Sequence, residues 1–400
     1  MGSLGLTSLG CGKRTLMLSN LDPTPIDALM RGAIDIAFPA AQLVIVHRGQ
    51  VIYAEAFGFL DPETRAHPTD ADTRFDLASV SKLFTVAAFM TLVEEGHVNI
   101  DTPVHEALPG FIGLRQIAPQ PDPLGSSRMM EIVPPTTETV DVGSITYRHL
   151  LAHNSGLPAW LPLWKQLPMP TREVLVDIAA AANFAYPTSS KVIYSDVGLI
   201  LLGAAMERIA GQRLDAIVRK RVTATLGLQS IAYGPLTSKN IAPTEFYMHH
   251  GRRMCGEVHD ENAWALDGVS GHAGLFGNAR DVAMFGEALR RTHAGEALFL
   301  KHETVREMTR LHAQDGDVRR GLGFALWSSN PRAMSHTLGQ STFGHLGFTG
   351  TSLWIDPTRE LTFACLTNHI YYGRVGEDTM TPFRLALAHA LSEGITEHNL

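Results

Sequence analysis

The stretch that most constrains the fold is Leu83–Val93, Leu-Phe-Thr-Val-Ala-Ala-Phe-Met-Thr-Leu-Val. It is apolar on nearly every face, and a helix of that kind must be buried all round. Whatever the chain folds into has to wrap this segment. The residues leading into it are then carried to the edge of the core: Phe75-Asp-Leu-Ala-Ser79-Val-Ser-Lys82. At 3.6 residues per turn, Ser79 and Lys82 fall on one face, three apart. A hydroxyl and an amine thus meet at the mouth of a buried helix. Desolvation disfavours an ammonium, so the Lys82 pKa is expected to fall, making it a general base for Ser79. Ser79 also lies at the expected helix N-terminus, where free N–H groups favour developing negative charge. Nucleophile, base and anion-stabilising field would fit into one turn. The same pair would also suit an N-cap serine beside a snorkelling lysine. Of the seven lysines, only Lys82 has a serine three positions before it.

On either side of this helix the hydrophobic period changes. Pro25–Phe38 has helical spacing, and Gln42–His47 and Val51–Phe57 read as a hairpin around Arg48-Gly49-Gln50. Phe111–Ser144 holds five prolines and little periodicity, as a long surface excursion would. Thr146–His153, Arg172–Ala182, Val197–Ala210, Leu214–Leu226 and Asp281–Arg291 read as helices. Gly323–Ser328, His345–Asp356 and Leu361–Asn368 return to strand patterns, and Pro382–Glu393 closes as a helix. The expected class is α/β: an antiparallel sheet built from both chain ends, flanked by helices, with an inserted all-α lobe. The α/β part would span about 21–98 and 321–400, the lobe 99–320, and residues 1–20 would form a tail.

Composition removes several functions. Apolar content is 45%, charged content 18%, and the net charge is −7 with no basic cluster, so nucleic acid is not an expected partner. No apolar run suits a transmembrane span. Cys11, Cys255 and Cys365 are scattered and odd in number. His249, His250, His259, Asp260, Glu261 and His272 lie close together but lack a metal-ligand spacing, and no metal or cofactor is expected. There is no Gly-x-Ser-x-Gly elbow, P-loop or dinucleotide fingerprint. Leu9-Gly10-Cys11 only faintly suggests a lipoprotein box, since Lys13 and Arg14 follow the apolar stretch. The expected location is cytoplasmic, with a periplasmic or lipoprotein form open if a leader was removed.

Two further segments carry chemistry. Tyr194-Ser195-Asp196 precedes the apolar helix from Val197. A phenol near an ammonium has its phenolate favoured, so Tyr194 is a candidate proton carrier. Asp196 suits an N-cap at least as well as a direct role. Gly344-His345-Leu346-Gly347-Phe348-Thr349-Gly350-Thr351 opens a strand, and its glycines would let a substrate approach closely. The Phe348 N–H is a candidate oxyanion donor beside that of Ser79.

These segments resemble the serine β-lactamase and penicillin-binding-protein-like hydrolases of the class C type, which includes esterases and D-amino-acid peptidases. Ser79-Val-Ser-Lys82, Ile145–Leu157, Tyr194-Ser-Asp196 and Gly344–Thr351 carry the resemblance in the family's order, and Gly268–Gly277 adds to it. The resemblance implies an acylated Ser79, Lys82 as its proton acceptor and Tyr194 as a shuttle to the leaving group. It also implies an oxyanion hole from Ser79 and Phe348. His345-Leu346-Gly347 would stand at the third motif, and Leu-Ala-His-Asn-Ser-Gly would be structural. Three departures stand out. His345 replaces a common lysine, Leu346 a common hydroxyl residue, and Asp196 a common asparagine. All three disfavour an anionic substrate terminus. The expected substrate is therefore a small ester or neutral amide, with a β-lactam or D-alanyl peptide as the alternative. A non-catalytic ligand sensor would be the alternative of another kind.

Overall fold

The computed structural model describes residues 21–121, 129–130, 138–166, 168, 170–248, 250–374 and 377–394. The expected tail with Cys11, His249 of the histidine group and most of the Pro-rich stretch lie outside these residues.

Helix α1 (Thr24–Ala33) buries Ile26, Met30 and Ala33. Strands β1 (Ala40–His47) and β2 (Gln50–Gly58) follow as an antiparallel hairpin. Arg48 and Gly49 both take positive φ there, as a two-residue turn with the right twist requires. Every residue of β1 is buried. Alternate side chains feed opposite faces, with Leu43 and Ile45 in one core and Val44 and Val46 in the other. That double burial explains why β1 reads as a continuous apolar run.

Helix α2 (Ser81–Glu94) is buried from Ser81 to Leu92, as its all-round apolar pattern demands. Phe84 stacks on Phe285 with ring centres 4.0 Å apart, and Phe89 meets Tyr147 at 5.0 Å. Each such side chain contributes roughly 1.5–3 kcal/mol of burial. Helix α3 (Asp196–Ala210) lies against α2, and helix α4 (Ala279–His293), which carries Phe285, lies against the sheet.

The C-terminal part supplies strands β3 (Ala313–Asp315), β4 (Val318–Arg320), β5 (Ala325–Leu326), β6 (Phe343–Leu346), β7 (Ser352–Asp356) and β8 (Leu361–Thr367). Together with the hairpin they form one eight-stranded antiparallel sheet, ordered β3-β4-β5-β6-β7-β8-β1-β2. The chain ends meet where β1 pairs with β8, Ile45 opposite Phe363. Helix α5 (Met380–Gly394) packs beside α1 on one face, with Phe38 edge-on to Phe383. Helix α4 covers β1, β7 and β8 from the other face, and α2 shares its core. Two ends far apart in sequence thus make one sheet with helices on both sides, as the alternation of patterns predicts.

Two details differ from the sequence reading. The span 99–320 is not wholly helical or wholly apart from the sheet, because it contains α4 on the sheet and the hairpin β3–β4 at its outer edge. Within the Pro-rich excursion, Leu114–Gln116 pairs with Thr139–Asp141 and Gln120–Pro121 with Met129–Met130. Pairs of two or three residues leave no legible period. No helix among the described residues is long and apolar enough to cross a membrane.

Candidate active site

Ser79 sits in a single 3-10 turn, Ala78–Val80, that leads straight into α2. Ala78 holds a positive φ of 45°, unusual for a residue with a Cβ. The turn is pinned from four sides. Asp76 Oδ1 accepts from the Ala78 N–H at 2.8 Å, and Leu77 N–H donates to the Leu275 carbonyl. Thr349 and Thr351 donate to the carbonyls of Asp76 and Leu77 at 2.7 and 2.9 Å. Asp76 is fully buried, and burial pushes its pKa up although it also accepts from the His259 N–H. Such cross-bracing holds a strained turn in place.

Lys82 follows one turn later and is completely buried. Its Nζ reaches three acceptors: Ser79 Oγ at 2.8 Å, Asp196 Oδ1 at 2.8 Å and the His272 carbonyl at 2.9 Å. Two of these are hydrogen bonds, to Ser79 and the His272 carbonyl, while Asp196 is held as an ion pair by distance alone. Burial alone would lower the Lys82 pKa, but the Asp196 carboxylate and Tyr194 more than offset it, and the net shift is upward. The sequence expectation of a depressed lysine is thus corrected: desolvation acts as expected, but a counter-charge at contact distance outweighs it. If the amine is neutral, Asp196 and the His272 carbonyl hold its two N–H groups, and its lone pair faces Ser79 Oγ.

Asp196 opens α3 but does not cap it. Ser195 is the N-cap, its hydroxyl accepting from the Gly198 N–H at 3.2 Å. The capping role expected for Asp196 belongs to its neighbour, which frees the carboxylate for Lys82. Tyr194 is half-buried in the cavity wall, and desolvation pushes its pKa up against the pull of Lys82 and Ser79. Its expected phenolate character is corrected to a neutral phenol. The hydroxyl makes no hydrogen bond of good geometry among the described residues. The ring lies between two histidines, His153 at 4.7 Å and His345 at 5.6 Å between ring centres.

Both histidines are held neutral, their pKa values pushed well down by burial and then by nearby cations. Their tautomers follow from their partners. His345 Nδ1 donates to the Leu346 carbonyl at 2.6 Å, so its Nε2 is a bare acceptor. His153 Nδ1 accepts from the Ser195 N–H at 3.0 Å, so its proton is on Nε2. Neither Nε2 has a partner among the described residues.

Gly347 ends β6 against the Ser79 turn. A Cβ there would fall 2.8 Å from the Leu77 carbonyl and closer still to Thr351 Oγ1. Only glycine lets this strand end approach the nucleophile turn so closely. Phe348 comes next, in the turn closed by Gly350 N–H to Gly347 O. Its N–H has no hydrogen-bond partner among the described residues. Its ring is half exposed and lies parallel to His259, 5.8 Å between centres.

Ser79, Tyr194, Asp196, His345, Gly347 and Phe348 all line one open cavity of about 1290 Å³, with Lys82 directly behind Ser79. Residues from three separate stretches therefore meet at one place. Its mouth is apolar, with Trp160, Trp164, Phe246, Met248 and Phe348.

Several contributors were not legible. The buried ring of His272 is clamped by Ser270 Oγ at 2.8 Å and Asp260 Oδ1 at 2.7 Å, which fixes the carbonyl that faces Lys82. Gly271 in the same loop would clash with the Leu199 carbonyl if it bore a Cβ. The sequence signals for this clamp were the glycine-rich run Gly268–Gly277 and the His/Asp group that holds Asp260 and His272, and neither showed that the two residues pair. Arg320 and Asp76 carried none. The histidine group considered for a metal is engaged otherwise: His259 Nε2 pairs with Glu245 at 2.8 Å, and Glu261 with Arg374 at 2.9 Å. Among the described residues no three His, Cys, Asp or Glu side chains are grouped to hold a metal.

Known proteins agree with this architecture. The solved structure of EstCE1, a hydrolase with promiscuous acyltransferase activity, superposes with a TM-score of 0.70 at 24% identity, covering 92% of this chain and 98% of that one. The octameric penicillin-binding protein homologue from Pyrococcus abyssi also gives 0.70, at 21% identity, covering 94% and 78%. An N-acetylmuramyl-L-alanine amidase of Bacillus subtilis (strain 168) is 30% identical over 380 residues, 86% of this chain and 80% of that protein. The profile of the beta-lactamase family matches residues 26–382, which takes in the nucleophile turn, the tyrosine segment and the glycine-rich strand, and on that match the chain belongs to the beta-lactamase family of hydrolases.

Proposed function

We propose that the protein is a serine acyl hydrolase working through an acyl-enzyme, with a carboxylic ester as its preferred substrate. The observation that carries this reading is the position of Lys82 Nζ, 2.8 Å from both Ser79 Oγ and Asp196 Oδ1. An ammonium cannot accept the Ser79 proton. The reactive form therefore has Lys82 as the neutral amine, its proton lost to solvent, with the Asp196 carboxylate and the His272 carbonyl beside its N–H groups. Ser79 Oγ then attacks the carbonyl carbon as its proton passes to Lys82. The N–H groups of Ser79 and Phe348 receive the charge that develops on the carbonyl oxygen. Tyr194 passes a proton to the leaving group as the carbon–oxygen bond breaks, and is reprotonated from Lys82. Water repeats the sequence in reverse, releasing the acid and Ser79.

An ester is preferred for two reasons. The third motif lacks the lysine that would greet a penicillin or D-alanyl carboxylate. And an alkoxide or phenoxide leaves more readily than an amine, which asks less of a neutral Tyr194. The apolar mouth suits a hydrocarbon acyl group.

The test is hydrolysis of p-nitrophenyl butyrate by wild type and by Ser79→Ala, with a fluorophosphonate label on Ser79. Loss of turnover together with loss of labelling supports the acyl-enzyme. Faster Ser79-dependent turnover of a penicillin or a D-alanyl peptide would replace the ester with those substrates. A folded wild type that takes no label would leave a non-catalytic sensor as the better reading.

A further inference from the structure

The edge of the sheet brings to the cavity a charge that the family motifs do not explain. Arg320 ends β4, two strands from His345, and lines the same cavity as Ser79. Its guanidinium carbon lies 5.4 Å from the centre of the Tyr194 ring. Its Nε is sealed from solvent and has no hydrogen-bond partner among the described residues. Burial and Tyr194 are the influences on its charge, with no carboxylate among them. Asp317, on the same hairpin, accepts from the Ser329 hydroxyl at 2.8 Å instead.

The surroundings leave this charge uncompensated. Lys82 and Asp196 cancel each other. Tyr194, His153 and His345 are neutral. The neighbouring arginines already have acceptors: Arg319 donates to the Trp327 carbonyl at 3.2 Å, and Arg384 to the Gly347 carbonyl at 3.1 Å. Arg320 is half-buried, and sealing part of its guanidinium without a partner is costly, a cost that an anionic ligand in the cavity would offset. A guanidinium offers a planar fork that matches a carboxylate, and one positive charge matches a monoanion better than a dianionic phosphate.

We propose that Arg320 is a specificity-determining residue that receives a carboxylate carried by the substrate, while the scissile carbonyl lies over Ser79. The inference rests on the acyl-hydrolase reading and deepens it. It also reverses one expectation from the sequence. The missing third-motif lysine argued against an anionic substrate, but a cation reaches the cavity from a different strand.

The experiment compares matched esters. p-Nitrophenyl butyrate is set against mono-p-nitrophenyl glutarate, with the carboxylate on the acyl side. Phenyl butyrate is set against 3-carboxyphenyl butyrate, with the carboxylate on the leaving group. For at least one pair, the ratio of kcat/KM for the carboxylate ester to that for its neutral partner should fall by about tenfold or more in Arg320→Gln. The change should lie in KM, and Arg320→Lys should restore part of it. A merely structural arginine would lower both members of a pair alike and leave both ratios unchanged, which overturns the proposal. A second readout needs no turnover. Calorimetry with Ser79→Ala should find 3-carboxyphenyl butyrate or mono-p-nitrophenyl glutarate bound more tightly than its neutral partner, with the difference gone in Ser79→Ala/Arg320→Gln. If no ester is hydrolysed but this difference holds, the ester reading fails and the Arg320 assignment stands. If Ser79-dependent hydrolysis occurs with no Arg320-dependent preference, the reverse is true. Tighter binding of 3-(butyryloxy)phenyl phosphate than of the carboxylate ester would reject the carboxylate.

Discussion

Lys82 and Arg320 are two cations at the floor of one cavity, held in opposite ways. Lys82 donates to Ser79 and to the His272 carbonyl and lies in an ion pair with the Asp196 carboxylate. Arg320 has a tyrosine ring for a neighbour and no carboxylate. Lys82 is fully buried and Arg320 half-buried with its Nε sealed, so desolvation works against both charges. Only Lys82 has the counter-charge that reverses it. The contrast separates two uses of a buried charge. A paired ion stores a proton in a fixed place, ready for chemistry inside the protein. An unpaired ion leaves its interaction for a molecule that is not yet there. Position in the cavity does not distinguish the two; their partners do.

Variants that break this contrast should differ in size of effect. Lys82→Ala should lower kcat by about 10³-fold on every ester, because it removes the only amine beside Ser79. A selective loss on carboxylate esters alone would mean that Lys82, too, is a binding cation. Tyr194→Phe should lower kcat by about 10²-fold. Its hydroxyl makes no good hydrogen bond, so thermal unfolding should show at most about 1 kcal/mol of lost stability. A large drop in melting temperature would identify the hydroxyl as structural instead.

Asp196→Asn sharpens the comparison from the other side, by making Lys82 resemble Arg320. Asp196 raises the Lys82 pKa and burial lowers it, so without the carboxylate the pKa must fall. The acid limb of the kcat/KM profile should then move to lower pH, by about one unit or more. A shift to higher pH would reject Asp196 as the group that keeps Lys82 charged. The sign for stability is linked. A lysine whose folded pKa is raised stabilises the fold fully below its ordinary value of 10.5, and that contribution is lost as pH rises through the folded value. Urea midpoints of the wild type should therefore decline above the ordinary lysine range, and less steeply in Asp196→Asn. The smallest effect belongs to Phe348→Ala. The ring is half exposed, so stability should change by about 0.5 kcal/mol or less. The backbone N–H remains, so kcat on p-nitrophenyl butyrate should stay within about threefold. A loss beyond about tenfold would mean that the ring itself positions the substrate.

Much of this arrangement was legible before any coordinates. The all-round apolar run Leu83–Val93 had to be buried, and α2 is buried along almost its whole length. Its spacing then placed Lys82 beside Ser79. The doubly buried β1 and the alternating β2 announced a hairpin, and strand patterns at both ends announced a shared sheet. Tyr194, His345, Gly347 and Phe348 were found as segments and do line the cavity with Ser79. What could not be read were pairings between segments. Ser195 and Asp196 are equally good caps in sequence, and only the approach of α2 to α3 shows which carboxylate is free. The His272 carbonyl is a backbone atom with no side-chain signature. Arg320 sits in a short, exposed-looking hairpin that resembles any solvated edge.

The sequence by itself determined the main elements, the burial of α2 and the spacing that puts Lys82 beside Ser79, because these depend on residues a few positions apart and on hydrophobic period. Only the tertiary structure decided the charge states. A pKa is set by whichever groups come within a few ångströms, and for Lys82 those are Asp196 and Tyr194, more than a hundred residues away in the chain. The same holds for what is missing: that Arg320 has no carboxylate beside it among the described residues is a fact about several segments folded together, and no single stretch of sequence contains it.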